Sequence, residues 1–580
     1  MNRLSYVLLF LTCGLFAAER PNVLFIICDD LNDYVSAYES HPQVRTPHLK
    51  DFAKSAVTFK RAYSNNPVCA PSRASLFTGV YPHNSGNLFW NKWYEQKTLK
   101  HNKTIMELFR ENGYNVIGTG KLLHHEQKQL YTEFKNKANY GPYWLKDGKT
   151  VAHPDVPQPF AEIGSIDGSY GSIESAISKQ TKNEHWFSGD WRFIKTPFNF
   201  EGPNRDLTPD ELNAKWVSER IEKLGRSGSD QPFFLSVGFV RPHTPLHVAQ
   251  KYFDMFPIDQ IQLPEILEND ADDTHYTDVF ETDMKGLKYF DLLKKSYPNW
   301  QEGLKAFTQA YLASIAAVDE NIGRVIKTLD ESRFKDNTIV IFTSDHGWNM
   351  GEKDYLFKNS PWEESGRVPF IVRAPQISKA GTKAEHPVSL IDIYATLVDL
   401  CQLEGDNRKN ERGAKLGGFS IRPFLEEPKS MNWDGPKGAL TMIYAGPHTG
   451  MDPDLQHWTW RSKDFRYIRY NNGMEELYDH SKDPRELTNL AKNPEYAQIK
   501  AELKQELISF GEFDFSKPLK SPKKKVAVKK EKSPTENKDG EYWKKNYFKN
   551  NPDADTNKDG ELSWKELNDH KKSKWFSRNR

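Results

Sequence analysis

The residues best suited to chemistry stand in four short stretches. Asp29 and Asp30 follow the apolar run Asn22 to Cys28, and Asp345-His346-Gly347 follows the run Thr338 to Thr343. Carboxylates suit a hard divalent cation, which can hold an oxyanion and neutralise charge as it shifts onto a leaving oxygen. Asp29, Asp30 and Asp345 are the candidates for that work. Cys69 opens Cys69-Ala70-Pro71-Ser72-Arg73, which runs into Ala74-Ser75-Leu76-Phe77-Thr78-Gly79. Taken alone, Cys69 is either a reactive group or a small buried hydrophobe after a proline-ended loop. Far downstream, Asp555-Thr556-Asn557-Lys558-Asp559-Gly560-Glu561-Leu562-Ser563-Trp564-Lys565-Glu566 matches an EF-hand loop. Its oxygens fall at positions one, three, five, seven, nine and twelve, with Gly560 at the sharp turn, so Asp555, Asn557, Asp559, Glu561 and Glu566 are candidate calcium ligands. A weaker echo, Asn537-Lys538-Asp539-Gly540-Glu541, has Thr535 and Asn546 where the end carboxylates belong.

Chemistry at scattered positions needs a scaffold that gathers them. Asn22 to Cys28, Tyr114 to Thr119, Pro232 to Val240, Thr338 to Thr343 and Val368 to Val372 are short continuous apolar runs, the pattern of strands buried on both faces. Amphipathic stretches at Lys103 to Glu111, Pro209 to Leu224 and Ala306 to Leu329 alternate with them and read as helices. The expected fold is α/β, a mainly parallel sheet covered by helices. In such sheets ligands sit beyond the carboxyl ends of the strands. Asp29, Asp30, His243 and Asp345 all fall there, so independent strand ends converge on one face. From about Lys437 the pattern changes to short aromatic alternating segments, Phe465 to Tyr470 and Glu476 to Asp479, and then a helix near Glu495 to Ser509. This reads as a smaller antiparallel sheet with a closing helix.

Length and composition narrow the class. A chain of 580 residues with a formal net charge of +1 has room for a large core and is not a generally basic nucleic-acid binder. Met1-Asn2-Arg3, the apolar run Tyr6 to Ala18 and polar Glu19-Arg20 have the layout of a secretory signal peptide, and no later run is long enough to span a bilayer. The expected location is secreted or periplasmic. Beyond Cys13, the chain holds Cys28, Cys69 and Cys401, too few for a disulfide scaffold. Lys517, Lys520, Lys523, Lys524, Lys525, Lys529, Lys530 and Lys532, interspersed with prolines, mark a solvated linker. The expected organisation is a signal peptide over 1–18, a catalytic domain over 19–436, a smaller domain over 437–514, a Lys-rich linker over 515–534 and an EF-hand-like region over 535–580.

The Cys69-x-Pro71-Ser72-Arg73 stretch resembles the sulfatase signature. Over roughly Asn22 to Ser509 the chain is similar to that family, and most to its iduronate-2-sulfatase branch, which shares Thr343-Ser344-Asp345-His346-Gly347-Trp348. Glu476-Leu477-Tyr478-Asp479, Asp483-Pro484 and Asn489-Leu490 resemble the carboxyl-terminal subdomain of the family. The resemblance implies an alkaline-phosphatase-like sandwich and one active-site calcium ion. It also implies that a formylglycine-generating maturation enzyme oxidises Cys69 to an aldehyde. The hydrated aldehyde carries two hydroxyls, one to attack sulfur and one to release the sulfate by re-forming the aldehyde, an exit that serine lacks.

The same resemblance assigns individual positions. Asp29, Asp30, Asp345, His346 and the group at 69 would hold the metal. Imidazole is an uncommon ligand for calcium, so His346 is open to a second role, a hydrogen bond to the nucleophile. Arg73 would hold the nucleophile, Lys121 would neutralise sulfate and His124 would orient the nucleophile. His243 and Lys358 would contact sulfate and donate a proton or charge to the leaving oxygen. Asn87 to Tyr94 and His185-Trp186 to Trp191-Arg192 mix aromatics with cations, which suits either sugar stacking or packed loops. The absence of many cysteines and the appended EF-hand point to a bacterial secreted enzyme acting on sulfated polysaccharide or glycosaminoglycan fragments. Two other readings stand beside it: a phosphonate or phosphodiester hydrolase of the same superfold, and a calcium-dependent glycan-binding protein with an unused catalytic centre.

Overall fold

The computed structural model describes residues 20–189, 196–279, 285–516, 551–556, 558, 566 and 570. The signal segment, the Lys-rich linker beyond Ser516, Trp191-Arg192 and the loop positions Asn557, Asp559 and Glu561 lie outside those residues. The chain divides into two compact units, Met1–Leu519 and Lys520–Arg580.

Strand Asn22–Asp29 (β1) shows why the first apolar run is continuous. Leu24, Ile26 and Cys28 enter one hydrophobic core, while Val23, Phe25 and Ile27 enter another on the opposite face. With both faces covered, alternation would bury polar groups, so every position from Val23 to Cys28 is apolar. The large sheet comprises β1, Val57–Phe59 (β2), Asn115–Gly120 (β3), Glu133–Phe134 (β4), Phe233–Pro242 (β5), Thr338–Ser344 (β6), Phe370–Arg373 (β7) and Thr382–Ala384 (β8). Its order is β8-β2-β7-β6-β1-β5-β3-β4. Only β7 runs against the others, so the sheet is mixed and mainly parallel, as expected.

One predicted strand divides. Val368 to Val372 reads as a single apolar run, but Arg367–Val368 pairs with Ala62–Tyr63 in a separate sheet and only β7 joins the large one. Pro369 lies between them, and a residue without an N–H cannot continue a central ladder.

Helix Pro209–Arg226 starts from a Thr208 capping box with Glu211 and carries Pro209 in its first turn. The 31-residue helix Trp300–Asp330 starts from an Asn299 cap and packs against it, on the face of the sheet that holds Leu24 and Ile26. On the other face lies the fully buried helix Cys69–Thr78, which ends where Gly79 takes φ 67°. A side chain at that position would run into Leu416 and Tyr394.

The smaller sheet is an antiparallel meander of Ala439–Ile443, His457–Arg461, Phe465–Arg469 and Glu475–Asp479. Helix Ala497–Gly511 closes its apolar face, burying Trp458, Trp460 and Tyr467 with Leu503 and Leu507. A buried ionic network ties this meander to the segment between β6 and β7. Glu363 pairs with Arg461 at 3.2 Å and with Arg466, which also pairs with Glu486; His480 Nε2 lies 2.8 Å from Glu486 Oε1.

Candidate active site

The register of the large sheet brings the sequence candidates together. Ile27 of β1 stands level with Thr343 of β6 and with Gly238 of β5, so the chain leaves all three strands at one height. Asp29 and Asp30, Asp345 and His346, and His243 therefore emerge side by side. Asp30 holds φ 62°, a left-handed conformation that carboxylate residues adopt more readily than most. It is fixed from both sides: its N–H donates to Asp345 Oδ1 at 3.2 Å, and its carbonyl accepts from Tyr311 Oη at 2.6 Å.

Cys69 is the first residue of its helix, behind Val68, which offers no side-chain cap. Its Sγ lies 3.1 Å from Lys358 Nζ, 3.2 Å from His346 Nε2 and 3.9 Å from Asp30 Oδ1. Lys358 also donates to Asp30 at 2.7 and 3.0 Å. Lys121 donates to Asp29 Oδ2. His243 Nε2 is 3.7 Å from Asp30 and 4.0 Å from Asp29. Asp29, Asp30, Asp345, His346, Arg73, Lys121, His243 and Lys358 are all buried. Three carboxylates thus face three permanent cations in a buried site, where Coulomb terms are strong and little screened.

Two expected partners of position 69 are engaged elsewhere. Arg73 donates from Nε to Asp345 Oδ2 at 2.8 Å, and its remaining N–H groups reach the carbonyls of Cys28, Lys121 and Leu122 and the carboxylate of Asp29. With five donors used, the guanidinium braces two acids and the Lys121 segment and leaves none for Cys69. His124 packs at 4.9 Å against Trp90 and 4.8 Å against His125, and its Nδ1 is buried without a hydrogen-bond partner.

Lys121 reaches Asp29 because β3 ends against β5. Lys121 N–H donates to the Gly238 carbonyl at 2.9 Å, and a Cβ at Gly238 would collide with the Lys121 backbone. Sequence reasoning passed over Tyr311, Tyr140 and Ser72. Tyr311 Oη also accepts from Asn32 N–H at 3.0 Å, and Ser72 Oγ donates to the Asp345 carbonyl at 2.5 Å. The Tyr140 ring lies under Lys121 Nζ at 5.0 Å and beside His243 at 4.8 Å. Ser72 sits inside the signature and was within reach of inspection; Tyr311 and Tyr140 carry no local signal.

The electrostatics separate the two neighbouring acids. Burial opposes the charge of Asp29, but Lys121 and Arg73 hold its carboxyl well below the usual range. Burial lifts Asp30 well above it, against Lys358 and His346 and with the Cys69 and Asp29 charges adding to the rise. Burial works against Lys121 and Lys358 too, yet Asp29 and Asp30 outweigh it and raise both lysines. Burial and the neighbouring Lys358 charge push His243 far down, so its ring is neutral. Burial and Asp29 push the Cys69 thiol up, which makes the encoded sulfur a poor nucleophile.

Donor atoms of Asp29, Asp30, Cys69 and His346 all lie within 4.8 Å of one another. Asp30 is a buried carboxyl whose charge the protein's own cations do not fully offset, and a divalent cation among these groups would offset it. The donor set fits a hard cation best with oxygen at position 69, because sulfur is the soft member. Glu363, His480 and Glu486 form a second such group among the described residues, but Arg461 and Arg466 already neutralise it.

In the smaller unit, Glu566 Oε1 accepts from Thr556 N–H at 3.1 Å and from its hydroxyl at 3.0 Å, and Asp555 Oδ1 accepts from Lys558 N–H at 2.7 Å. The twelfth loop position thus bonds the residue that follows the first. Cys28, Cys69 and Cys401 are all free and buried. Among the described residues no helix is long and apolar enough to cross a membrane.

Comparison with known proteins agrees with this geometry. The Sulfatase family profile matches residues 21–403, and the profile of the N-sulphoglucosamine sulphohydrolase carboxyl-terminal region matches 351–512. A sulfatase of Formosa agariphila is 31% identical over 488 residues, covering 82% of this chain and 84% of the relative. Mouse iduronate 2-sulfatase is 26% identical over 373 residues, covering 62% of this chain and 61% of its own. The solved structure of a phosphonate monoester hydrolase of Agrobacterium radiobacter shares the fold, with a TM-score of 0.59 at 24% identity over 85% of this chain and 95% of the other. Its alkaline-phosphatase-like architecture, the match over most of its length and the converging acids, histidines and lysines make this chain a member of the sulfatase family, a hydrolase of sulfuric esters.

Proposed function

We propose that this sulfatase removes sulfate from sulfated polysaccharide or glycosaminoglycan fragments after export from a bacterial cell, with Cys69 converted to formylglycine and one calcium ion held by Asp29, Asp30, Asp345, His346 and position 69. The observation that carries the reading is the convergence of Lys358 Nζ and His346 Nε2 on Cys69 Sγ, beside Asp30, within the Cys-x-Pro-Ser-Arg stretch. When present, formylglycine supplies a nucleophilic oxygen and calcium supplies charge neutralisation at the sulfate. The chain's own residues do the rest. Lys358 and Lys121 present positive charge to the sulfate oxygens. Neutral His243 donates from Nδ1 to the Thr244 carbonyl at 2.5 Å and so turns an unprotonated Nε2 toward the site as an acceptor, which leaves the Lys358 ammonium as the group with a proton to give a leaving oxygen. Arg73 acts as a positioning residue through Asp29 and Asp345, and His124 stands at the rim.

Asp345-His346-Gly347-Trp348 and the likeness to mouse iduronate 2-sulfatase support a uronate-containing substrate. We further assign 19–436 to the catalytic domain, 437–514 to its carboxyl-terminal subdomain and 535–580 to an EF-hand region that binds a second calcium ion through Asp555, Asn557, Asp559, Glu561 and Glu566.

The test is sulfate release from a panel of sulfated glycan fragments that includes 2-sulfated uronate disaccharides, using protein co-produced with a formylglycine-generating enzyme. Mass spectrometry of the peptide carrying position 69 reads the conversion of thiol to aldehyde. Release that vanishes in Cys69→Ala is the expected result. An aldehyde at 69 with turnover of matched phosphate esters alone would make the chain a phosphoester hydrolase. Glycan binding that survives Cys69→Ala without any release would make it a binding protein.

A further inference from the structure

Among the described residues Trp90 is the one Phe, Tyr or Trp with an exposed side chain, at 38% of its surface. Exposing an indole forgoes the burial that usually stabilises it, so its surroundings bear on its use. The loop that carries it is anchored rather than loose. Asn66 Nδ2 donates to the Leu88 carbonyl at 3.0 Å, and Trp93 Nε1 donates to the His125 carbonyl at 3.1 Å. Asn91 N–H donates to the Phe89 carbonyl at 2.8 Å, which puts Trp90 at the tip of a three-residue turn.

The turn lies beside the reactive cluster. On one side the Trp90 ring is 4.9 Å from His124, three residues beyond the lysine that pairs with Asp29. On the other side Phe89, 5.5 Å from Trp90, stacks on Tyr444 at 4.3 Å. Tyr444 is bonded to Asn359 in both directions, through its N–H at 3.3 Å and its carbonyl at 3.4 Å, and Asn359 follows Lys358. An aromatic strip of Trp90, Phe89 and Tyr444 therefore bridges the chain neighbours of the two lysines that flank Asp29, Asp30 and Cys69.

We infer that Trp90 is a specificity-determining residue whose indole face stacks on the pyranose ring that carries the scissile sulfate. A flat apolar face with a polar rim suits a sugar ring, whose axial C–H groups form an apolar patch and whose hydroxyls stay at the edge. His124, packed against the indole with its Nδ1 buried, braces Trp90 from the side of the reactive cluster. The inference rests on the sulfatase reading for its substrate and names the part of that substrate the strip recognises.

The test compares Trp90→Ala and Trp90→Phe with the unaltered protein, each carrying formylglycine, on three probes: glucosamine 6-sulfate, a 2-O-sulfated uronate disaccharide and acyclic 2-butyl sulfate. Because Trp90 is exposed, neither variant should disturb folding, and thermal melts check this. Trp90→Ala is expected to lower the ratio of kcat/KM on the ring substrate to kcat/KM on 2-butyl sulfate roughly tenfold to a hundredfold, a range taken by analogy from planar bases stacked on aromatic side chains. The loss should lie in KM, and Trp90→Phe should recover most of it. An equal loss on ring and acyclic esters, or no loss, overturns the inference. Saturation-transfer NMR of the two glycans with Cys69→Ala protein separates it from the sulfatase reading. Ring-proton signals lost on adding Trp90→Ala uphold the stacking site even where no sulfate is released, and signals that are absent or unchanged overturn it.

Discussion

Replacing Lys358 with methionine removes one ammonium and keeps most of the side-chain stem. The residue is buried, and its Nζ lies within 6 Å of the Trp348 and Phe357 rings, so the thioether has apolar neighbours to pack against. Two unit charges at the 3.1 Å separation of Nζ from Sγ interact by about 5 kcal/mol at an effective dielectric near 20. That figure is a ceiling, because the ammonium is shared with Asp30 at 2.7 and 3.0 Å. Removing one preorganised donor from a charge that develops in the transition state costs about 2.7–4 kcal/mol, a factor of ~10²–10³ in kcat. The sharing with Asp30 places Lys358→Met near the lower end, about a hundredfold. Sulfate release is measured at saturating calcium, with Lys358→Arg as a second variant. The guanidinium is wider than the ammonium and has no room between Cys69 and Asp30, so it should not restore activity. The lost ammonium also leaves Asp30 facing only His346 at 3.4 Å and His243 at 3.7 Å, so Lys358→Met should melt earlier without calcium and regain part of the difference with it. A fall in kcat of less than tenfold, with the aldehyde confirmed at 69, refutes the assignment of Lys358 to the reacting centre.

Other predictions test the scaffold. Glu486 bonds Arg466 and His480, and although burial opposes its charge these partners hold its carboxyl at about 2, down from 4.5. Its contribution is therefore present above pH 4.5 and fades as pH falls toward 2. Glu486→Gln should cost about 3–5 kcal/mol at neutral pH by leaving Arg466 short of a counter-charge. Melts between pH 7 and pH 3 should show the gap to the unaltered protein narrowing with acid; a constant gap would contradict the linkage. Gly238→Ala pushes a methyl into the Lys121 backbone and should cost about 1–3 kcal/mol of stability. It should also depress sulfate release more than an equal destabilisation elsewhere, since Lys121 loses its reach to Asp29; denaturant midpoints read beside kcat decide this.

What the sequence disclosed about the site follows from how the sheet is built. A parallel strand buried on both faces is apolar at most positions, so β1, β3, β5 and β6 were all visible as runs, and the charged residues and histidine after them marked the functional edge. Asp29, Asp30, His243 and Asp345 were legible for that reason. Pro369 was equally legible in principle, yet reading the run by hydropathy alone joined two segments that its missing N–H keeps in different sheets. The less visible residues are those whose role depends on a long-range meeting. Tyr311 lies in a 31-residue helix whose buried face is apolar at most positions, and nothing in the local pattern distinguishes a tyrosine that packs from one whose hydroxyl joins Asp30 and Asn32. The same holds for the direction of Arg73. The signature names the residue, but its five donors are distributed by where β1, the Lys121 segment and Asp345 come to rest around it. The motif therefore specifies a charge to be placed in the site, while the partners that take it up are fixed by the register of the sheet.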